Sequence, residues 1–256
     1  MLADERRKKL AALVSRRGFI SLAELATEFA ASESTIRRDL EALDHSGLIR
    51  RTHGGAMAAT DAVSVPAFED RSRVCTSEKR SIGAVAAQLV AEGETVLLDG
   101  GTTTFEVARH LRGRLVQVIT NSLPIASMLA SDRNVDVTMV GGYVYPRTGV
   151  AVGQLAVQFL GSVQARRLIM SVAGATDRGF FNSNSLLVET QLRMMQVVDE
   201  IIVVADHTKF GQKSLAFLCE LGRVHRLVTD AGLTDEFRRK VHEAGPTVII
   251  ATGEPE

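Results

Sequence analysis

The chain has no tryptophan and only two tyrosines. Few stacking platforms are therefore available for single-stranded nucleic acid or carbohydrate rings. Cysteine is scarce too. Cys75 and Cys219 show neither metal-ligand spacing nor the density of a disulfide scaffold, and read as reduced thiols in a cytoplasmic protein. His-x-His and His-Glu-x-x-His spacings are missing, so no metal is expected. No apolar run reaches the ~18 residues of a membrane span. The start, MLADERRKKLAAL, lacks the apolar core and cleavage pattern of a signal peptide. Net charge is absent as well, 30 Lys+Arg balancing 30 Asp+Glu. That excludes a sticky, nonspecific nucleic-acid coat. Residues 1–60 carry 10 basic against 8 acidic side chains. Any DNA contact must then come from a few placed arginines.

What is present is length for two domains and a pattern that changes near residue 60. Residues 4–16 read as a helix with Leu10, Leu13 and Val14 on one stripe. Ser21 and Glu24 have capping-box spacing, and Leu22, Leu25, Ala26 and Phe29 form the buried face of a second helix. Ala30-Ala31 carry a turn. Ser32 caps a third helix, whose Ile36, Leu40 and Leu43 face inward. Ser34, Thr35, Arg37 and Arg38 are left on the open side, where hydroxyls and long donors can reach base edges and phosphates. Gly47 breaks the chain. Arg50, Arg51 and His53 follow beside paired glycines, as in a wing lying on the sugar-phosphate backbone. Arg50 and Arg51 would point to opposite sides of a strand. A helical docking domain with a charged face is the plain alternative.

This unit covers 1–56, with a small, polar linker at 57–67 and a second domain at 68–256. Apolar strands are expected at 95–99, 116–120, 135–140, 168–172, 201–205, 226–229 and 247–251. Helical segments are expected near 78–91, 101–111, 122–130, 154–161, 185–197 and 234–243. This alternation predicts an α/β domain with a mostly parallel sheet covered on both faces. Glycine and small polar residues follow the strands, and ligands of open α/β sheets sit beyond the strands' carboxyl ends. Asp99, Gly101, Thr102, Thr103 and Thr104 offer hydroxyls and backbone N–H groups at a helix start, which suits a phosphate. Asn121, Gly141, Gly142 and Lys209 follow further strands. A phosphorylated polyol or sugar fits this mixture. The loop is neither the GxGxxG fingerprint nor a Walker A loop. Asp206, His207 and Lys209 are also ingredients for proton transfer, so a sugar-phosphate isomerase-like enzyme is a rival.

SESTIRRDLEALDHSGLIRRTHGGA (32–56), VLLDGGTTTFEVARHL (96–111), VITNSLPIA (118–126), Gly141-Gly142 and VVADHTKFG (203–211) together resemble the DeoR family of bacterial transcriptional regulators. The resemblance implies a winged helix-turn-helix joined to an effector domain similar in fold to ribose-5-phosphate isomerase, without catalytic residues or a cofactor. It implies a repressor, a homodimer or homotetramer, bound to double-stranded operator DNA and released by a phosphorylated sugar or sugar alcohol. The chain departs from the family pattern near 165–184. Phe181, Asn182, Asn184 and Glu189 thus become candidates for effector selection: amides and a carboxylate that read hydroxyls beside an aromatic wall.

Overall fold

A computed structural model describes residues 3–17, 19–45, 48–52, 54–58 and 67–253. The chain divides into two compact units, Met1–Pro66 with Ser183–Leu186, and Ala67–Asn182 with Leu187–Glu256.

The first unit runs α1 (Ala3–Arg17), β1 (Phe19–Ser21), α2 (Leu22–Glu28), α3 (Glu33–His45), β2 (Ile49–Thr52) and β3 (Gly55–Ala58). Leu10, Leu13 and Val14 of α1 meet Leu25, Ile36, Leu40, Leu43 and Ile49 in one core. The capping box is formed: the Ser21 hydroxyl accepts from Glu24 N, and Glu24 accepts from Ser21 N at 2.9 Å. Between α2 and α3 the chain reverses through Ala30, whose φ of 46° lies in the left-handed region. The three strands pair antiparallel in the order β1-β3-β2. This corrects the expected boundary at residue 56. Met57 pairs with Phe19 and Arg50, and Ala58 pairs with Ile49, so the wing runs through Ala58 because its ladder continues there. The rest of the expected linker up to residue 66, together with Gly47 and His53, lies outside the described residues.

The second unit contains α4 (Phe68–Ser72), α5 (Thr76–Gln88), β4 (Thr95–Leu98), α6 (Thr102–Leu111), β5 (Val116–Thr120), α7 (Leu123–Leu129) and β6 (Val135–Met139). A hairpin of β7 (Tyr143–Tyr145) and β8 (Val150–Val152) follows, then α8 (Gln154–Leu160) and β9 (Ala165–Ser171). The chain continues through β10 (Gly174–Thr176), β11 (Gly179–Asn182), α9 (Ser185–Gln196), β12 (Val198–Val204) and β13 (Ala216–Cys219). It closes with β14 (Arg226–Asp230), α10 (Asp235–Glu243) and β15 (Thr247–Ala251).

Seven of these strands form one parallel sheet in the order β15-β14-β12-β9-β4-β5-β6. They are the seven expected from the apolar runs. Successive side chains of a strand point to opposite faces, and this sheet uses both. Val96, Leu98, Val118, Ile169, Ile202 and Val204 join Ile82, Val107, Leu111 and Ile125 of α5, α6 and α7 in one core. Their alternates Leu97, Ile119, Leu168, Met170, Ile201 and Val203 join Leu160, Met194 and Val241 of α8, α9 and α10 in the other. The small antiparallel sheet β10-β11-β13 and the β7-β8 hairpin were not among the expected strands. The segment Gly174–Gly179 comprises β10, a two-residue turn and the first residue of β11.

The sheet order determines where a ligand can sit. From β4 the chain steps outward through β5 to β6, then returns to the other side of β4 as β9. The β4-β9 boundary is therefore a topological switch point, where a crevice opens beyond the strands' carboxyl ends.

Candidate functional site

The residues expected to read DNA lie mainly on α3. Asp39 is buried and receives Arg6 Nε at 2.5 Å and Arg7 Nε at 3.0 Å, which ties the inner side of α3 to α1. Sequence reasoning missed this role, although the carboxylate follows the two exposed arginines directly. Arg37 and Arg38 are exposed and make no ion pair among the described residues. Ser34 is exposed and Thr35 half-buried. Their hydroxyls lie 2.9 and 2.8 Å from that of Ser32, whose side chain also accepts from Thr35 N at 3.3 Å. Arg51 of the wing pairs with Glu41 of α3 at 2.7 Å, so its guanidinium already has a partner within the unit. The Arg50 side chain lies outside the described residues.

In the second unit the switch point gathers most of the expected binding residues. The register Leu98↔Thr120 sets Asp99 beside Asn121 just past the ends of β4 and β5. α6 begins at once, with Gly101 as its N-cap and no side-chain cap on its first N–H groups. Thr102, Thr103 and Thr104 are buried there, and Thr104 Oγ1 donates to Gly101 O at 3.0 Å. Gly101 lies close against β9: a Cβ would stand 2.1 Å from Ser171 Oγ, so that hydroxyl would have to move aside.

Asp99 is 2% exposed. Burial pushes its carboxyl from 3.8 up to about 7, against hydrogen bonds from Gln191 and from the backbone at Gly100 and Ser171. Gln191 was not anticipated. Its Nε2 donates to Asp99 Oδ2 at 2.7 Å and to Ser171 O at 3.0 Å, while its Oε1 accepts from Asn182 Nδ2 at 2.9 Å. It thereby locks the ends of β4, β9 and β11 together. Only its place on the inward stripe of α9 could have signalled it. Asn121 is 1% exposed; its Nδ2 donates to Ala151 O at 3.1 Å, but its Oδ1 has no partner among the described residues.

Lys209 lies on a 3-10 turn after β12, half-buried, and its ammonium makes no hydrogen bond or ion pair among the described residues. Burial disfavours the charge on Lys79 and Asp206 favours it, with Lys209 near enough to add a smaller disfavouring influence. His207 is held by Asp230: its backbone N–H donates to Oδ2 at 2.8 Å, and Nδ1 lies 2.8 Å from Oδ1. That contact fixes the turn.

Three expectations change. Glu189 is exposed, because Leu187, Val188, Gln191 and Met195 define the buried side of α9 and residue 189 falls off that stripe. Phe181 is no open aromatic wall; its ring packs edge-on against Phe217 with centroids 5.5 Å apart. Gly141 and Gly142 follow the edge strand β6, two strands and roughly 10 Å from β4. Gly142, at φ 150°, lets the chain approach Val152 O, where a Cβ would stand at 2.8 Å. Asn184 is buried.

A cavity of about 700 Å³ lies at the opposite ends of the strands, among Glu94, Gln164, Arg167 and Asp199. Its central cation is already taken, since Arg167 bridges Glu94 and Glu200. The unmet acceptor of Asn121 and the uncapped helix start are at the carboxyl ends instead. Among the described residues no group of three or more His, Cys, Asp and Glu could hold a metal, and no helix is long and apolar enough to cross a membrane.

Comparison with known proteins agrees with this division. Residues 6–62 match the DeoR-like helix-turn-helix domain, and residues 74–231 match the DeoR C terminal sensor domain. The chain is 36% identical to the transcriptional repressor AccR of Agrobacterium fabrum, over 90% of each chain. It is 32% identical to a putative aga operon transcriptional repressor of Escherichia coli O157:H7, over 96% of this chain and 93% of that one. Ribose 5-phosphate isomerase A of Neisseria gonorrhoeae shares 14% identity over 52% of each chain with a TM-score of 0.36, too low to support a shared activity. The relatives bear the names of regulators, which removes the isomerase-like enzyme as a rival. With a winged helix-turn-helix before an α/β sensor domain, the chain belongs to the DeoR family of DNA-binding transcriptional regulators.

Proposed function

We propose that the chain represses a carbohydrate catabolic operon and leaves its operator when a phosphorylated sugar or sugar alcohol enters the crevice at the β4-β9 switch point. The observation that carries this reading is the uncapped start of α6. Orphan N–H groups and a partial positive charge there favour a phosphate. Lys209 supplies a point charge, and Asn121 Oδ1 and the Asp99 carboxyl supply acceptors for hydroxyls. Ser34, Thr35, Arg37 and Arg38 contact the operator, with Arg50, Arg51 and His53 on its backbone. Asn182, held by Gln191, and Asn184 contribute to effector choice. A cytoplasmic homodimer or homotetramer would place two reading helices over paired half-sites.

Effector binding lowers operator affinity only through a preference for the geometry that does not fit the operator. The test is a binding titration on DNA from upstream of the chain's own gene, challenged with a panel of sugar phosphates. Release by at least one phosphorylated compound, and not by its unphosphorylated parent, is expected. Arg37→Ala or Arg38→Ala should cost roughly 1–3 kcal/mol of operator binding. Lys209→Ala should leave bare DNA binding intact and blunt release. Unchanged operator affinity in both arginine variants would remove the assigned reading face.

A further inference from the structure

The segment that opens the second unit holds a buried cation, Arg71. α4 is pinned from two sides. Phe68 packs its ring edge-on against Phe105 of α6 at 5.5 Å, and its backbone N–H donates to Arg147 O of the β7-β8 turn at 3.0 Å. The same hairpin holds the loop after β5, since Ala151 N donates to Asn121 O at 2.7 Å and Leu123 N to Gly149 O at 2.8 Å. One turn after Phe68 stands Arg71. Its carbonyl accepts from Lys79 Nζ at 2.6 Å. Its guanidinium Nε and Nη2 are both shielded from solvent, and neither has a hydrogen-bond partner among the described residues. Burial disfavours the charge on Arg71, and the nearby Asp99 is the strongest influence that favours it. The helix that carries Arg71 is packed against the first turn of α6 through Phe68 and Phe105, within electrostatic reach of Asp99 at the carboxyl end of β4.

Two unmet donors on a buried cation are costly, and the cost falls on the free protein. Nε and Nη2 are not an arbitrary pair. They share one edge of the guanidinium plane, the fork that meets two oxygens of a carboxylate or phosphate at once. Lys79 cannot take that part, because its ammonium is committed to the carbonyls of Arg71 and Val74 at 2.6 and 2.5 Å.

We propose that the Nε–Nη2 edge of Arg71 is an oxyanion-binding fork of the effector crevice, gripping two oxygens of the effector's phosphate or carboxylate. This rests on the reading that the switch-point crevice is the effector site. It adds a second kind of anion recognition to the helix start, one that is planar and bidentate. It also makes α4, the first described helix after residues 59–66, a direct reporter of occupancy.

The experiment uses the full chain at pH 7.5 and fixed ionic strength. Thermal unfolding is followed against inorganic phosphate, ribose 5-phosphate, ribonate and neutral ribose for the wild type, Arg71→Met, Arg71→Gln and Arg71→Lys. At least one oxyanion should stabilise the wild type, and ribose should not. A response confined to the phosphates identifies phosphate as the group gripped; one confined to ribonate identifies carboxylate. Arg71→Met or Arg71→Gln should melt no lower than the wild type without ligand, since a buried unpaired charge has gone, yet bind the oxyanion at least tenfold more weakly. Arg71→Lys keeps charge without the fork and should fall between. Lower melting with unchanged oxyanion affinity in these variants would make Arg71 a structural residue and overturn the proposal. Should that occur while Lys209→Ala still loses the response, the crevice stands and only the fork is lost. A wild type indifferent to all three oxyanions removes the crevice reading and the fork with it.

Discussion

Asp99 is the residue on which the crevice turns, and its protonation should be visible in the protein's stability. Between its ordinary value of 3.8 and about 7, the folded chain keeps a proton there that the unfolded chain has released. The folded state then binds more protons than the unfolded state, so this group's contribution to stability declines as pH rises through that window and is level above it. The size is of order 2–4 kcal/mol. Urea unfolding at pH 5 and pH 8 should show that loss in the wild type and a reduced one in Asp99→Asn. Equal pH dependence in the two proteins would mean that Asp99 is ionised throughout. Gln191 gives the complementary test. Its hydrogen bond is the largest influence holding the Asp99 carboxyl down. Gln191→Leu should push that carboxyl higher still in a carbon-detected titration. It should also cost roughly 1–3 kcal/mol, because Asn182, Asp99 and Ser171 all lose a partner.

The elements of the first unit carry signals that sequence spacing exposes well. Ser21 with Glu24, and Ser32 ahead of Thr35, mark helix starts because each cap is satisfied within four residues. Asp39 shows the limit. Its partners are Arg6 and Arg7, more than thirty positions away, and no local pattern announces them. Asp39→Ala should destabilise the unit by roughly 3 kcal/mol, leaving two arginines without their carboxylate. A melt of the isolated residues 1–66 would register it, and a change below the error of the melt would show the pairs to be idle. The turn offers a gain in stability. Ala30 is exposed and held at φ 46°. Ala30→Gly should stabilise by about 0.5–1 kcal/mol, the left-handed penalty exceeding the added entropy of the unfolded chain. A lower melting temperature would mean that the Ala30 methyl makes a contact worth more than that strain. On α9 the rotation of Glu189 away from the buried stripe follows from the helical period, once the flanking Val188 and Gln191 are seen to be inside.

At the scale of the whole chain, balanced charge constrains how the regulator holds DNA. With 30 basic and 30 acidic side chains there is no broad positive field to recruit phosphates. Operator affinity should depend on individual arginines, and salt can separate their roles. If Arg38 meets a phosphate, Arg38→Ala lowers the slope of log affinity against log salt by about one; if it reads a base, the slope holds and specificity relaxes at one position.

Strand composition was sufficient for the seven parallel strands. The inner strands are largely buried apolar runs, while the edge strands β6 and β15 are only partly buried and show as short β-branched runs. The antiparallel pieces were hidden because they are three or four residues long, too short for an alternation to show, and β11 owes its second neighbour to β13, more than thirty positions on. The sequence by itself determined the two-domain order, the winged head, the parallel sheet and the cluster of small polar residues after its strands. These depend on local periodicity, caps and glycines. Only the tertiary structure decided which of those loops belong together. The return of the chain across β4 to β9 created the switch point. It brought Gln191 onto Asp99 and left Gly141 and Gly142 at an edge. These outcomes depend on strand order and helix rotation, which long-range packing sets and residue spacing does not encode.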